Sequence, residues 1–378
     1  MAERPPPRSL LFVVESGTDV RLVEGLAGRF ALTVLARRIV GGREISQTPT
    51  RDVTVIVGPA GRFGFARAAF AALRRRRPAA ILVQGYGPAA LAANLAARRA
   101  RARCVMLVCS PVEAYYRCRQ SNPRPGMPFR RHELAALSAF ARANARLGQH
   151  YVVLSEHLAQ VVRNHGTRRP VSVIPVYGVD AGVFRPPNQA RADGKRALGL
   201  PTDRPLLLFN SRMAPEKDAD TVIEAVRVLL ARGVPVHLLH RSGGWRDFAA
   251  AAERAGIASH VTATDAVHPV TDLVHDYWAA DLFVQASRAE GLGFAPLEAL
   301  ACETPVVAAA VGGLQETIVP GDTGWTYAPG HAEDLATAIE TALGDPAEAR
   351  RRAARGRALV GRRFARDAAF DRLAELLA

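Results

Sequence analysis

Short apolar runs alternate with longer amphipathic stretches along the whole chain. The first half contains seven apolar runs that we predict as strands: residues 10–14, 32–35, 53–57, 80–83, 105–109, 151–154 and 171–175. The second half contains four more: residues 206–209, 236–239, 282–285 and 306–309. Because each run is short and is followed by a helical stretch or a glycine-containing loop, the pattern predicts parallel α/β sheets.

The length of the chain indicates two domains. Its 378 residues exceed what one core usually serves and fit two domains of about 180 residues each. We predict two Rossmann-like, doubly wound domains, residues 1–185 and 186–363, followed by an amphipathic C-terminal helix at residues 364–378. Since such sheets bind ligands at the carboxyl ends of their strands, the candidate site should lie there.

Residues 287–310, SRAEGLGFAPLEALACETPVVAAA, carry the strongest candidate chemistry. Glu290 and Glu298 lie eight positions apart, on either side of a Gly-X-Gly turn made by Gly291 and Gly293. The apolar run that precedes them predicts a buried strand. The segment therefore has the order strand, glycine loop, helix.

The helix of this segment is predicted to begin at Pro296, because proline is well tolerated at the first helical position, and to end near Cys302. Ala295 would then be the cap residue, and its side chain cannot accept a hydrogen bond from the first-turn amides. A helix N-terminus attracts anions, and Gly291 and Gly293 let a ligand approach the backbone. These features predict a diphosphate site.

At this point the sequence resembles the Glu-X7-Glu signature of the retaining GT-B glycosyltransferases of family 4. The stretch LLLFNSRMAPEKDADTVIEAV resembles that family's segment of strand, Arg, Lys and helix, with Arg212 and Lys217 on the two basic positions. VIPVYGVDAGVFRP resembles its interdomain stretch, and VVAAAVGGLQETIVPGDTGWTYAPG its glycine turns. The landmarks run in order over residues 173–339, and before residue 173 the likeness is one of architecture.

The resemblance implies the GT-B fold, in which two Rossmann-like domains face each other across a cleft and a C-terminal helix crosses back to the first domain. It also implies a metal-independent, retaining transfer of a hexose from a nucleotide diphosphate sugar to an acceptor hydroxyl, with formation of an α-linkage. The first domain would hold the acceptor and the second the donor. The expected donor is a UDP-, GDP- or ADP-sugar, the acceptor is a glycan, a lipid or a small molecule, and no cofactor is expected.

The resemblance also assigns roles to individual residues. Arg212 and Lys217 would contact the β-phosphate and stabilise the charge that develops on it. Glu290 would contact hydroxyls of the donor sugar. An ionised carboxylate accepts two hydroxyls at once, so Glu298 suits the ribose diol. The remaining nucleotide-sugar-binding residues implied are Gly17, Ser110, His268, Gly291, Gly293, Phe294 and Ala295.

Two positions depart from the pattern of that family. Its first strand is usually followed by a Gly-Gly loop, whereas this chain has Gly17 alone. After the strand at residues 105–109 the family commonly places a histidine, and this chain has Ser110. Either Ser110 substitutes as a polar contact or the donor sugar is held differently.

Two short patterns could suggest metals, and both have a simpler interpretation. Asp218 and Asp220 form an Asp-X-Asp pattern at a predicted helix start, where capping and dipole complementarity explain them. His237 and His240 lie on a predicted strand and would point to opposite faces. We therefore predict no metal.

Composition indicates a globular protein. The chain is 49% hydrophobic, and its four cysteines form no C-x-x-C pair, which is typical of free thiols. The apolar run at residues 10–14 is shorter than a signal peptide requires. The uncharged residues 78–97 approach the length of a membrane span, but QGYGP interrupts them. We expect a cytoplasmic protein.

Charge is distributed unevenly along the chain. Residues 1–185 contain 29 arginines, no lysine and 10 acidic residues, a net charge of +19, whereas the remaining residues have a net charge of −4. This polarity predicts peripheral contact with an anionic membrane, at the inner face, or an acidic glycan acceptor. The alternative is a biased Ala/Arg-rich composition with solvated arginines.

Two further function classes fit the same features. A sugar-nucleotide epimerase of the same architecture would convert its donor without an acceptor, and a non-catalytic subunit would bind nucleotide without releasing a nucleoside diphosphate. Nucleic-acid binding is not expected, since the arginines have neither interleaved aromatic residues nor a recognised motif.

Overall fold

The computed structural model describes residues 8–267 and 270–378, and within these residues thirteen strands form two all-parallel sheets. The strands of the first sheet are β1 Ser9–Val14, β2 Ala31–Arg37, β3 Thr54–Gly58, β4 Ala80–Gln84, β5 Arg103–Val108, β6 His150–Val153 and β7 Val171–Val173. Those of the second are β8 Leu206–Phe209, β9 His237–Arg241, β10 Val261–Thr264, β11 Leu282–Gln285, β12 Val306–Ala309 and β13 Trp325–Tyr327.

Helices alternate with these strands. Those of the first half are α1 Val20–Ala27, α2 Arg62–Arg76, α3 Pro88–Ala100, α4 Val112–Ser121, α5 Arg131–Leu147 and α6 Glu156–Asn164. Those of the second half are α7 Arg191–Ala197, α8 Ala219–Ala231, α9 Trp245–Arg254, α10 Val274–Ala279, α11 Phe294–Ala301, α12 Ala332–Gly344, α13 Pro346–Arg363 and α14 Arg366–Leu377.

The chain divides into two compact units. The first contains the chain up to Glu113, together with Arg130–Gly178 and Arg366–Ala378, and the second contains Ala114–Phe129 and Val179–Ala365. Most of α4 therefore belongs to the second unit, although the strands on either side of it belong to the first.

The sheet of the first unit has the order β3-β2-β1-β4-β5-β6-β7. Leu10 in β1 lies beside Leu32 of β2 on one side and Ala80 of β4 on the other. The order of the strands therefore reverses between β1 and β4, which is the switch point of a doubly wound sheet.

The sheet of the second unit has the order β10-β9-β8-β11-β12-β13 and reverses between β8 and β11. Its core includes the aromatic rings of Phe209 in β8 and Phe248 in α9, whose centroids lie 5.9 Å apart. Helix α8 contributes Val222, Val226 and Leu229, whose spacing of three and four residues places them on one face of the helix. This packing fixes the strand ends that carry the candidate site.

The predicted fold class, two Rossmann-like parallel α/β domains, is confirmed, and all eleven predicted strands are present within a few residues of their expected bounds. Strands β10 and β13 were not predicted. Both are edge strands of three or four residues, β10 is only half buried along its length, and neither has the apolar run that identified the others.

The uncharged residues 78–97 do form a strand followed by a helix, β4 and α3. Among the residues that the structure describes, no helix is both long enough and apolar enough to cross a bilayer.

Helix α14 packs against α1 in the first unit. The buried ring of Phe370 covers Gly25 so closely that a Cβ atom at Gly25 would lie 2.0 Å from the ring. Arg29 of α1 lies over the same ring, 5.4 Å from its centroid, and its Nη2 is 2.6 Å from the Asp371 carboxylate. An aromatic contact and ion pairs of Arg29 thus hold the end of the chain.

We predict that Phe370→Ala lowers the free energy of unfolding by about 3–5 kcal/mol, because it leaves a cavity over Gly25. Urea denaturation measures this change. Phe63→Ala is the matched control, since that ring is 72% exposed and its removal should change stability by about 0.5 kcal/mol or less. Equal losses in the two variants would show that the contact between Phe370 and α1 contributes nothing specific.

Candidate active site

The polar residues of the second unit converge where β8 and β11 end. Ser211 follows β8 and Ser287 follows β11, and both side chains are buried. Gln285 joins the two strand ends, because its amide Nε2 donates to the hydroxyl of Ser287 at 2.8 Å and lies 3.4 Å from that of Ser211. This is the switch point of the sheet, where doubly wound folds bind ligands.

Glu290 lies at the centre of this cluster, and its carboxylate is surrounded by four donors. Oε2 accepts from the ammonium of Lys217 at 2.5 Å and from the hydroxyl of Ser287 at 3.1 Å. Oε1 accepts from the hydroxyl of Tyr115 at 3.1 Å and from the amide of Gly291 at 3.2 Å. These contacts occupy the roughly four acceptor positions of a carboxylate.

Glu290 remains ionised although it is buried. Burial alone would raise its pKa, but the charge of Lys217 and the hydrogen bonds from Lys217, Ser287 and Tyr115 outweigh burial and hold the pKa below its usual value. The pair thus places one fixed negative and one fixed positive charge at the carboxyl end of the sheet.

A single turn of 3-10 helix, Pro215–Lys217, brings Lys217 to this position. The turn is fastened to the other strand end, because the amide of Arg288 donates to the carbonyl of Glu216 at 2.8 Å. Arg212 lies earlier in the same loop and extends into solvent, with 67% of its side chain exposed and a carboxylate oxygen of Glu216 3.5 Å away. The loop therefore presents one partly buried and one exposed cation.

The start of α11 differs from the prediction. The helix begins at Phe294 with Gly293 as its cap residue, so Pro296 is the third helical residue and Ala295 is not the cap. Gly293 has φ 89°, a left-handed conformation that glycine adopts without strain and that starts the helix two residues early. Proline still fits, because its missing N–H belongs to the first turn, where amides have no partner within the helix.

A second glycine loop packs directly on this turn. The amide of Gly313 donates to the carbonyl of Glu290 at 3.2 Å. A Cβ atom at Gly313 would lie 2.2 Å from the carbonyl oxygen of Gly291, so no larger residue fits there. The loop of Gly313 thus fixes the backbone before α11. Gly293 caps the helix, and no side chain accepts a hydrogen bond from the first-turn amides.

Glu298 lies in the second turn of α11 and is buried. Its Oε2 accepts from the hydroxyl of Tyr277 at 2.9 Å, and that hydroxyl accepts from the amide Nδ2 of Asn210 at 3.0 Å. Burial raises the pKa of Tyr277, so the phenol stays a neutral donor. The chain of contacts from Asn210 to Glu298 orients this second carboxylate.

The predicted site residues of the first unit lie at the carboxyl edge of its own sheet. Gly17 has φ 83° and follows β1. Ser110 follows β5, and its carbonyl accepts from the hydroxyl of Tyr86 at 3.5 Å. The other predicted site residues that the structure describes all belong to the second unit: Arg212, Lys217, Glu290, Gly291, Gly293, Phe294, Ala295 and Glu298. His268 lies outside the described residues.

The interpretation of Asp218 as a side-chain cap is wrong. Asp218 occupies the cap position of α8, but its carboxylate accepts from the hydroxyl of Thr221 at 2.7 Å and pairs with Arg288 at 2.8 Å instead of bonding a helix amide. Its left-handed backbone, with φ 51°, explains the difference, since a capping side chain needs extended backbone. Asp220 pairs with Arg124 at 2.8 Å.

His237 and His240 each bond a neighbouring strand. His237 contacts the hydroxyl of Thr262 at 2.8 Å and His240 contacts the carbonyl of Phe209 at 3.0 Å. Burial lowers the pKa of His240 to about 4. Residues 8–267 and 270–378 contain no group of three or more His, Cys, Asp or Glu side chains that could hold a metal ion.

Sequence reasoning missed three polar residues of the site. Ser287 could have been found, because it immediately follows a predicted strand and precedes Glu290 by three positions. Tyr277 and Tyr115 gave no such signal. Tyr115 lies about 175 positions from the carboxylate it contacts, and only the fold brings α4 into the second unit.

The fold is shared with solved structures over almost the whole chain. A sucrose-phosphate synthase from Thermosynechococcus elongatus has a TM-score of 0.78 at 22% identity, with 98% of both chains covered. Anabaena Alr3699/HepE in complex with UDP and glucose has a TM-score of 0.75 at 19% identity, with 98% of this chain and 99% of that chain covered. These similarities, with the two parallel sheets, identify an α/β protein with the two Rossmann-like domains of the GT-B class.

Within this fold class, residues 191–358 match the family Glycosyl transferases group 1. A D-inositol 3-phosphate glycosyltransferase of Thermomonospora curvata is 33% identical over 236 residues, 59% of this chain and 54% of that protein. A GDP-mannose-dependent alpha-(1-6)-phosphatidylinositol monomannoside mannosyltransferase of Mycolicibacterium smegmatis is 37% identical over 215 residues, 53% and 54% of the two chains. The chain spans about half the length of these curated relatives. The family match lies within the second half of the chain.

We predict that Lys217→Met destabilises the protein by about 3–5 kcal/mol at neutral pH, because it leaves the Glu290 carboxylate buried without its partner. The wild-type pair contributes its full stability above the unfolded carboxyl pKa of about 4.3 and loses it as the pH falls through the lowered pKa of Glu290. The difference between variant and wild type should therefore shrink below about pH 4.

Urea unfolding at pH 7.5 and at about pH 3 tests this pH dependence. Arg227→Met is the matched control, since its partner Glu224 is exposed and such a pair is worth about 1 kcal/mol or less. The double variant Lys217→Met/Glu290→Gln should recover part of the loss. A destabilisation of Lys217→Met that is the same at both pH values would contradict the assigned charge state of Glu290.

Proposed function

We propose that this protein is a glycosyltransferase that moves a sugar from a nucleotide diphosphate sugar to an acceptor hydroxyl. The observation that carries the proposal is the buried pair of Lys217 and Glu290 at the switch point of the second unit, directly before a glycine-capped helix. The match of residues 191–358 to the group 1 family supports it independently.

The donor nucleotide would use three features of the second unit. The diphosphate would lie against Lys217, Arg212 and the amides at the start of α11, since cations and a helix N-terminus both favour phosphate. Glu298, oriented by Tyr277, would accept the hydroxyls of the ribose. We propose a UDP-, GDP- or ADP-sugar as donor. For Gly17 and Ser110 of the first unit, a role in nucleotide-sugar binding stays a prediction from the sequence.

We further propose that the transfer is metal-independent and retaining and forms an α-linkage. As the glycosidic bond breaks, negative charge grows on the β-phosphate, and preorganised contacts from Lys217 and Arg212 would each lower the barrier by about 3–4 kcal/mol. The departing diphosphate would accept the proton of the acceptor hydroxyl on the same face of the sugar. The contribution of the protein is then orientation and charge stabilisation.

The ammonium of Lys217 can serve two partners at once. It carries three protons, and the ion pair with Glu290 uses one of them, so the same group can also donate to a phosphate oxygen. Glu290 differs, because its four contacts leave no position for a sugar hydroxyl. A donor sugar that bonds Glu290 must therefore replace one of these donors, and the hydroxyls of Tyr115 and Ser287 are the uncharged side chains among them.

The acceptor would be held by the arginine-rich first half of the chain. Relatives are named for D-inositol 3-phosphate and for a phosphatidylinositol mannoside, so we propose a phosphorylated or lipid-linked polyol, or an acidic glycan, as acceptor. The net charge of +19 over residues 1–185 supports peripheral binding to an anionic membrane surface. The site would then operate at the cytoplasmic face.

There are two alternative functions. Ser110 lies where the family that the sequence resembles commonly has a histidine, and this difference favours a non-catalytic nucleotide-sugar-binding subunit. The other alternative is an epimerase of the same fold. Both share the donor site described above and differ in what happens to the donor once it is bound.

A panel of UDP-, GDP- and ADP-sugars separates these functions. The proposal predicts that one donor raises the melting temperature and releases its nucleoside diphosphate only when an acceptor is added. Arg212→Ala should then lower turnover by about 100-fold or more and leave the fold intact, since its side chain is exposed. Conversion of the donor without acceptor, seen by NMR, would indicate an epimerase, and binding without release would indicate the subunit.

Glu298→Ala should abolish the stabilisation by UDP, GDP or ADP, because the ribose loses its acceptor. Thermal melting with and without nucleotide measures this effect. Asp281→Ala is the control. Asp281 directly precedes the first residue of β11, and its carboxylate pairs with Lys195 at 2.6 Å. This substitution should therefore leave the stabilisation by nucleotide intact. Unchanged stabilisation of Glu298→Ala would reject the role assigned to Glu298.

A further inference from the structure

A cleft in the first unit is lined by residues that have no role in the donor site proposed above. It has a volume of 570 Å³, and its wall is built from the last turns of α5 and the segment that joins α6 to β7. Arg142 and Arg146 come from the helix, and Arg168 and Arg169 come from the joining segment. Four guanidinium groups therefore line one concavity, whose volume is in the range of small-molecule sites.

None of these four arginines has an ion-pair partner among the residues that the structure describes. Arg142 and Arg146 are four positions apart, so they lie on the same face of α5, where like charges repel. Two half-buried arginines of this unit do have carboxylate partners, since Arg29 pairs with Asp371 and Arg21 with Asp19. An anion in the cleft would remove this repulsion.

The wall of the cleft is held in place by buried contacts. His165 lies in the joining segment, and its Nε2 contacts the Glu113 carboxylate at 2.7 Å. Its ring also packs edge-on against Tyr86, with centroids 5.6 Å apart. Gly166 follows with φ 89°, a left-handed conformation that turns the chain toward Arg168. The two arginines of this segment are thus carried by an anchored turn.

The chemistry of the lining defines the ligand. A guanidinium presents a planar fork of donors that matches two oxygens of a phosphate, and several such groups around one cavity favour a dianion over a carboxylate. We propose that this four-arginine cleft is a binding site for a phosphate group, carried by a phospholipid headgroup or by a soluble phosphorylated molecule. The inference does not depend on the proposed glycosyltransferase activity.

Calorimetric titration with inorganic phosphate, at constant ionic strength against chloride, tests the site. Arg142→Gln/Arg146→Gln should weaken phosphate binding at least tenfold, because glutamine keeps the helix and removes both charges. Arg75→Gln/Arg76→Gln is the matched control, since it removes two exposed charges from the last turn of α2. The control should bind phosphate like the wild type.

The diphosphate site of the second unit could also bind phosphate, so each titration is repeated in an Arg212→Ala background, whose exposed substitution should leave the fold intact. The cleft predicts that phosphate binding persists there and that the Arg142/Arg146 variant retains its stabilisation by nucleotide. Equal weakening in the Arg75/Arg76 control, or binding in the wild type no stronger than chloride, would overturn the proposal. Failure of nucleotide binding alone would reject the proposed function and leave the cleft unaffected.

A second measurement distinguishes the two sources of phosphate. The wild type and the two double variants are sedimented with neutral phosphatidylcholine vesicles that contain or lack phosphatidic acid, and glycerol 1-phosphate is titrated separately. Retention on phosphatidic acid vesicles that is lost only in the Arg142/Arg146 variant assigns a lipid headgroup. Binding of glycerol 1-phosphate without vesicle retention assigns a soluble ligand, and the absence of both contradicts the site.

Discussion

The ion pair between Lys217 and Glu290 determines how the rest of the second unit is arranged. Taking two charges out of water is costly, and the cost is offset only where geometry and additional hydrogen bonds are good. Here the carboxylate has three further donors, from Ser287, Tyr115 and Gly291. Together with Lys217, these donors come from three segments that are distant in sequence, so the pair is satisfied only when the sheet, the 3-10 turn and α4 are all in place.

The two units differ in whether the cations at their candidate sites have carboxylate partners. In the second unit the cations near the switch point have carboxylate partners, as Lys217 has Glu290 and Arg288 has Asp218. In the first unit a group of arginines lines a cleft without such partners. A fixed ion pair orients groups precisely, whereas unneutralised arginines attract and hold anions.

The parts of the fold that could be predicted are those with a local signal. Buried parallel strands are continuous apolar runs, so all eleven predicted ones were found, whereas β13 and the half-buried β10 had no such run. The start of α11 was misplaced by two residues, because the left-handed backbone of Gly293 is chosen by its packing on the loop of Gly313. The same limit applies to Asp218, whose partner Arg288 is 70 positions away in sequence.

In the candidate site, too, residues with a local sequence signal were predicted and residues placed only by tertiary contacts were not. The glutamates, Arg212 and Lys217 were recognised from their spacing and from the resemblance to a family. The residues that orient the glutamates were not, since Tyr115 and Tyr277 reach them only through tertiary structure. Sequence therefore identified the groups that would touch a ligand, and the structure added those that hold them.

A crystal structure with bound UDP or GDP tests the proposed site most directly. We predict that the diphosphate lies within hydrogen-bond distance of Lys217, Arg212 and the amides at the start of α11, and that the ribose contacts Glu298. A nucleotide bound elsewhere, with the pair of Lys217 and Glu290 untouched, would contradict the proposed site and the function assigned to it.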